Sequence, residues 1–323
     1  MKLNKKMLAP SASFLYKLFR YALLIGISYV VLFPVIKMIS SAFTSAYELY
    51  TEESGFLPSR ATFENFKHAM FGEKAYYKIF EYTKNTAQLA LISTALQLFS
   101  CSLVGYGLGR YKFKGNAIVY ACVLFTIILP VQTVMIPLYH DYHWFDLFGI
   151  GKIIGLFTGE TFSVNLLKNY MSFYVPALFA VGFNSGIYIF LFRQFFASMP
   201  RDLEEAAKID GCSPLTIYLR IMLPNIKPVI VTVALLSVIY YWNDSLLAGV
   251  FVLKAEDGMP LMVALEEAVQ RQSFAINSAG TNAITWQADR YAIILTSVTP
   301  LMIFFLIGQK FFVECMDRSG SKG

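Results

Sequence analysis

The stretches TAQLALISTALQLFSCSLVGYGLG (residues 86–109) and AIVYACVLFTIILPVQTVMIPL (residues 117–138) contain no charged side chain. Between them lies RYKFKGN (residues 110–116), a polar turn with three bases. A helix rises about 1.5 Å per residue, so about 20 apolar residues cross a hydrocarbon core of about 30 Å. Each stretch is therefore read as a membrane-crossing helix, and the basic turn as the point where the chain re-enters water.

Working outward, four more stretches meet the same length and apolarity: 21–39, 175–195, 228–250 and 291–312. The expected fold is an all-α membrane protein with about six transmembrane helices. Composition agrees. Of 323 residues, 56% are hydrophobic and only 15% charged, against about 25% charged in an average soluble domain. Pro34, Gly105, Pro130 and Pro300 fall inside the expected spans, where neighbouring helices can satisfy the backbone groups they free. The basic N-terminus leads into 21–39, but that stretch is long, holds Pro34 and Lys37, and lacks a small-residue cleavage site. It reads as a retained span and not as a signal peptide. Lys37, near an outer end, is expected to snorkel.

Orientation follows from the loop charges, because cytoplasmic loops are enriched in Lys and Arg. With the N-terminus inside, the inner segments 1–20, 110–116, 193–227 and 310–323 hold 16 bases and 6 acids. The outer loops 40–85, 139–174 and 251–290 hold 10 bases and 14 acids. Both termini are thus expected in the cytoplasm. The net charge of +6 reflects orientation and does not point to nucleic acid, since no basic face carries interleaved stacking aromatics.

Cys101, Cys122, Cys212 and Cys315 have neither disulfide-framework nor zinc spacing and read as unpaired thiols. His140 and His143 flank Asp141, with Asp146 nearby, but the spacing matches no metal site and a solvated acidic loop is the expected reading. The loop 139–174 mixes apolar pieces with charges. It reads as an interfacial helix or an extension of the fourth span. Asp244, the one acid inside an expected span, is a functional candidate by its position. With Trp242 and Asn243 it forms a group suited to stacking on and hydrogen-bonding a sugar. The alternative is an acid at the outer interface, solvated or paired with a base.

The inner loop between the fourth and fifth spans is the most informative. Pro200 and Asp202 suit the first turn of a helix, Glu204 and Lys208 are spaced for an i,i+4 pair, and Gly211 suits its stop. Ser213-Pro214 reads as an N-cap followed by an N1 proline, and Leu223-Pro224 as the end of a second helix. The first helix would set Leu203, Ala206, Ala207 and Asp210 on one face. Two alanines make that face small and flat. It is either a connector lying under the membrane or a docking surface for a cytoplasmic partner.

Glu205-Ala206-Ala207, Gly211, Ile221 and Leu223-Pro224 together resemble the EAA signature of ABC importer permeases, in its carbohydrate-uptake, MalG-type version. The resemblance extends to Asn85–Gly115, Ile128–Tyr139, Trp242–Asp244 and Gln309–Val313, over most of residues 20–313. It implies a type I, MetI-like permease fold with a domain over 21–313 that includes a coupling loop at 197–224. A cytoplasmic segment at 1–20 and a tail at 314–323 would flank it. It implies that Glu205, Ala206, Ala207, Asp210, Gly211, Ile221, Leu223 and Pro224 form the contact with an ATPase dimer, which would hold ATP and Mg, with no cofactor on this chain. The further partners implied are a second permease subunit, an extracellular solute-binding protein and lipid in a bacterial plasma membrane. The chain lacks the family's glycine-rich tail ending Val-Lys-Gly, and its loop 139–174 is longer than usual. The rival classes are an ion-coupled secondary transporter, which calls for mid-span ionisable groups and repeats, and a membrane-embedded enzyme, which calls for a nucleophile and base. The sequence offers neither, nor a phosphate-cradling G-x4-G-K-[ST] loop.

Overall fold

The computed structural model describes residues 10–51, 56–71, 79–159, 162–252, 258–276 and 282–320. The chain forms two compact units: Met1–Lys78 with Gln272–Thr296, and Ile79–Arg271 with Ser297–Gly323. In the first unit, α1 (Pro10–Ala42) leads to the short helices α2 (Ala46–Tyr50) and α3 (Glu64–Phe71). Asn65 holds the turn after α1, its amide donating to the carbonyls of Ala42 at 3.0 Å and Thr44 at 2.8 Å. Large side chains from Phe14 to Ile39 are exposed along α1, as a helix meeting hydrocarbon requires. The first part of α16 (Asn282–Gly320) belongs to this unit and the remainder to the second.

The second unit is built on α4 (Ile79–Arg110). Its 32 residues span about 48 Å, more than a hydrocarbon core requires. Although uncharged over 86–109, α4 buries a polar stripe of Ser93, Thr94, Gln97, Ser100 and Ser102. Thr94 Oγ1 donates to Ser237 Oγ at 2.9 Å, and Ser237 Oγ to Gln97 Oε1 at 3.0 Å. Gln97 Nε2 in turn donates to the Phe183 carbonyl at 2.7 Å and Ser185 Oγ at 3.0 Å. Lipid gives helices no hydrophobic reason to associate, so such hydrogen bonds and close backbone contact supply one. The close contact lies one turn further along, at Gly105 and Gly109. A Cβ on Gly105 would sit 2.6 Å from Phe192 Cβ, and one on Gly109 3.1 Å from the Arg193 carbonyl. Both contacts are with α9 (Ser185–Ser198).

Three expected spans are not single helices. Residues 117–138 form α5 (Asn116–Ile128) and α6 (Val131–His143), bent by 108°. Pro130 sits in the break and forces Leu129 into an extended conformation, with ψ at 122°. Residues 175–195 fall on α8 (Met171–Leu178) and α9, separated by a turn in which Ala180 and Asn184 take positive φ. The 14 residues of α9 reach only about 21 Å. Residues 228–250 form α13 (Lys227–Asn243) and α14 (Leu246–Phe251), divided at Asp244. Among the described residues, three helices are long and apolar enough to cross a membrane, or up to five when the bent pairs at 116–143 and 214–243 each count as one span. Residues 175–195, divided between α8 and α9, supply no continuous crossing.

The loop 139–174 carries α7 (Ile150–Thr158), whose Leu156 and Phe157 are exposed, and the start of α8. The expected terminal segments are helical where described, α1 beginning at Pro10 and α16 continuing to Gly320. α15 (Leu261–Ile276) precedes α16. Cys101, Cys122 and Cys212 are free. The side chain of Cys315 lies outside those described.

Candidate functional site: the helix and turn between α9 and α13

After α9 the chain forms α10 (Asp202–Ile209), with Asp202, Glu204 and Glu205 in its first turn and Lys208 in its last. These charges complement the helix dipole. Gly211 follows with φ +78°, the left-handed position that stops a helix without a Cβ penalty. The stop is completed by two backbone hydrogen bonds, Gly211 N–H to the Lys208 carbonyl at 3.1 Å and Cys212 N–H to the Ala207 carbonyl at 2.9 Å. Ser213 Oγ accepts from Thr216 N–H at 3.2 Å and Pro214 takes the first helical position. The expected cap-and-proline start is observed.

The end of this second helical run differs from expectation. Leu223-Pro224 does not terminate it. The run passes from α11 (Pro214–Thr216) through a π-helical segment, Ile217–Met222, into α12 (Leu223–Asn225). Proline has no N–H to give to the carbonyl four residues back. The π winding shifts the bonding by one residue, so that Leu223 N–H reaches the Tyr218 carbonyl. The break comes at Ile226, with φ −104° and ψ 21°, and α13 leaves at 79°.

The face expected on α10 is divided between two directions. Ala207 is buried, while Leu203, Ala206 and Asp210 are exposed. Glu205 also points outward, and Ile209 is 87% exposed. The second buried residue of α10 is Glu204, which the i,i+4 spacing paired with Lys208. Its Oε1 accepts from Arg110 Nε at 2.9 Å and from Tyr106 O–H at 3.1 Å. The side chains of Arg110 and Glu204 are 4% and 12% exposed. The remaining guanidinium nitrogens of Arg110 donate to the carbonyls of Phe196 at 3.2 Å, Met199 at 2.8 Å and Pro200 at 3.4 Å. Those carbonyls lie at the end of α9, where helical partners run out. Losing one partner of such a buried pair costs about 3–5 kcal/mol, because the other charge is stranded. The available signal was Arg110 itself, the last residue of α4 and the first base after 25 uncharged positions.

Ile217, Tyr218 and Met222 pack inward, while Ile221 and Leu223 are half-buried and Pro224 exposed. Tyr218 O–H and Ser102 Oγ are 2.7 Å apart, and the Tyr218 ring lies 5.2 Å from that of Tyr106. Seven of the eight residues expected to make the partner contact therefore sit on one helix–turn–helix with at least part of their surface open. Ala207 anchors that surface from beneath.

Trp242, Asn243 and Asp244 are held by different partners. Trp242 is 6% exposed, with its indole N–H donating to the Ser297 carbonyl at 3.1 Å. Asp244 caps α14, its two carboxylate oxygens accepting from Leu247 N–H and Ala248 N–H, each at 3.0 Å. Of the three, Asn243 is exposed, its amide on the Ile239 carbonyl at 3.0 Å. Nearby on α13, Tyr240 lines a cavity. That space, of about 530 Å³, also touches Asn184, Ser185 and Phe183. In the acidic loop, Asp146 accepts from Gly149 N–H at 2.8 Å and faces Lys152 at 3.6 Å, and His140 faces Asp141 at 3.6 Å. Among the described residues no three His, Cys, Asp or Glu form a metal-holding group.

A helical protein of several bent and straight spans, carrying a short helix–turn–helix at the end of its principal span, is a membrane permease in architecture. Residues 102–314 match the family described as the binding-protein-dependent transport system inner membrane component, and the chain belongs to that family. It is a multi-pass permease subunit of an ABC importer, and its family is one of transporters, not enzymes. The arabinooligosaccharides transport system permease protein AraQ of Bacillus subtilis (strain 168) is 28% identical over 270 residues, covering 82% of this chain and 81% of AraQ. The maltodextrin transport system permease protein MdxG of the same organism is 26% identical over 322 residues, covering 98% and 99%. The fold matches a chain of a bacterial ABC transporter that imports the acidic polysaccharide alginate, with a TM-score of 0.73, 23% identity, and coverage of 95% of this chain and all of that one.

Proposed function

We propose that this chain forms half of the translocation pathway of an importer for a sugar or oligosaccharide, and that residues 202–224 receive the push of a cytoplasmic ATPase. A second permease subunit completes the pathway, an extracellular binding protein delivers the solute, and an ATPase dimer holds ATP and Mg. Both termini and the 202–224 segment face the cytoplasm, in keeping with the excess of bases there. The carbohydrate assignment is supported by the names of the relatives, AraQ and MdxG among them.

One observation carries the coupling role. α10 has one face clamped to its own chain through Glu204 and Ala207, and an opposite face with an apolar knob, Ile209, between acids and a flat alanine, with Glu205, Ala206 and Asp210 exposed. Ile209 does not stand alone: Leu203, Leu215 and Leu219 of the same helix–turn–helix are exposed as well, and grouped apolar exposure marks an interaction surface. Glu205 or Asp210 would pair with a base on the ATPase, Gly211 sets the turn, and Ile221, Leu223 and Pro224 form the second wall. Trp242 and Asp244 shape the end of α13, and Asn243 is the member of that group open to solute.

Ile209→Glu tests the docking role without touching the chain's own packing. In the importer assembled with its partners, it is expected to abolish ATPase co-purification and solute uptake while membrane insertion is unchanged. Full uptake by this variant would remove α10 as the docking element.

A further inference from the structure

One guanidinium joins three elements at the end of α4. Arg110 belongs to α4, donates to the carboxylate of Glu204 on α10, and ties down the last carbonyls of α9. The contact is dry, because both side chains are largely buried. It is also doubled along the helix. One turn back, Tyr106 O–H reaches the same carboxylate oxygen, and its ring meets Phe196 of α9 at 5.2 Å and Tyr218 at 5.2 Å. One turn further back, Ser102 meets the Tyr218 hydroxyl. Gly105 and Gly109, on the same helix, bring the backbone of α9 to contact distance. Three successive turns of α4 therefore grip both arms of the helix–turn–helix and the helix that precedes it.

We infer that Arg110 and Glu204 are the positioning residues that make α10 one rigid body with α4 and α9, so that a displacement at α10 is carried directly into the long span. The connections at Met199-Pro200 and Gly211 would otherwise act as hinges. The planar guanidinium is fitted to this task, since its fixed fork of donors can hold a carboxylate and several carbonyls at once, which an ammonium cannot. The inference rests on the reading of α10 as the ATPase contact. Motion through packed, hydrogen-bonded elements with no soft joint is how a small shift at one site reaches another.

The test uses the importer assembled with its partner subunits in lipid nanodiscs. With the native cysteines replaced, spin labels are placed at Lys208→Cys on α10 and Gly107→Cys on α4, where a new Cβ meets open space. The distance between them is measured without nucleotide and with Mg-ATP and vanadate. A distance constant to within about 2 Å is expected; a change approaching one helical turn, about 5.4 Å, overturns the inference. Glu204→Ala should broaden that distance distribution and lower uptake about tenfold or more, with ATP hydrolysis reduced less than about twofold. Arg110→Lys should restore little of the coupling, because it recovers the charge and loses the carbonyl fork. If Glu204→Ala leaves the ratio of uptake to hydrolysis at its wild-type value, the joint is not Arg110–Glu204. Failure of the ATPase to contact Ile209 would instead sink the docking role, an outcome read separately by co-purification.

Discussion

At the scale of single residues, burial decides which members of a motif face a partner and which hold the motif in place. Ala206 and Ala207 are neighbours in sequence, yet Ala206 is exposed and Ala207 buried, so their substitutions should fail for different reasons. Ala207→Glu forces a charge beneath α10 and is expected to unseat the helix from α4 and α9. The check is limited proteolysis of the 198–226 region, which should become cleavable. At Gly211, where φ is +78° and a Cβ would meet open space, the cost is conformational and not steric. Gly211→Ala should cost about 1–2 kcal/mol and Gly211→Asn less, because Asn tolerates the left-handed region. Uptake rates ranked wild type, Asn, Ala would bear this out, and an Ala variant equal to wild type would not. Asp244 follows the same logic as a cap: Asp244→Ala should destabilise by about 1 kcal/mol and Asp244→Asn by less. Thermal unfolding in detergent separates this from a solute contact, which would change uptake affinity with no loss of stability.

At the scale of elements, polar and small residues matter more in α4 than its apolar bulk. The stripe from Ser93 to Ser102 and the pair Gly105 and Gly109 set which helices it can touch. Gly105→Leu would drive a branched side chain into Phe192, where even a Cβ is too close. It is expected to separate α4 from α9 and abolish assembly with partner subunits, measured by size-exclusion chromatography of the co-expressed importer. Normal assembly would show that the close approach is dispensable. The bend at Pro130 and the π segment before Pro224 have one cause, the missing N–H of proline, met by different means. At Pro130 the helix divides; at Pro224 the backbone bonding is shifted by a residue and the run continues.

At the scale of the whole molecule, the loop charges predict which side of the membrane each segment occupies. Lys208→Cys should react with a membrane-impermeant maleimide only in inverted vesicles, and Lys152→Cys only in intact cells. The opposite pattern would overturn the proposed orientation and with it the cytoplasmic ATPase contact. The exposed apolar side chains of α1 fit lipid, and no soluble state of the chain could leave them in water.

Apolar runs, their length and the basic turn at 110–116 were enough to make this an all-helical membrane protein. Glu205-Ala206-Ala207, Gly211, Ile221 and Leu223-Pro224 were enough to place it among ABC importer permeases. Those features are local or depend on spacing along one helix, so they survive in a one-dimensional string. Folding alone decided that residues 175–195 divide into two helices, that Asp244 is a cap, and that Glu204 turns inward to Arg110. Each of these depends on a partner far away in the chain or on competition between backbone bonding and tertiary contact. The 94 positions separating Arg110 from Glu204 become 2.9 Å only because Gly105 and Gly109 let α9 settle against α4.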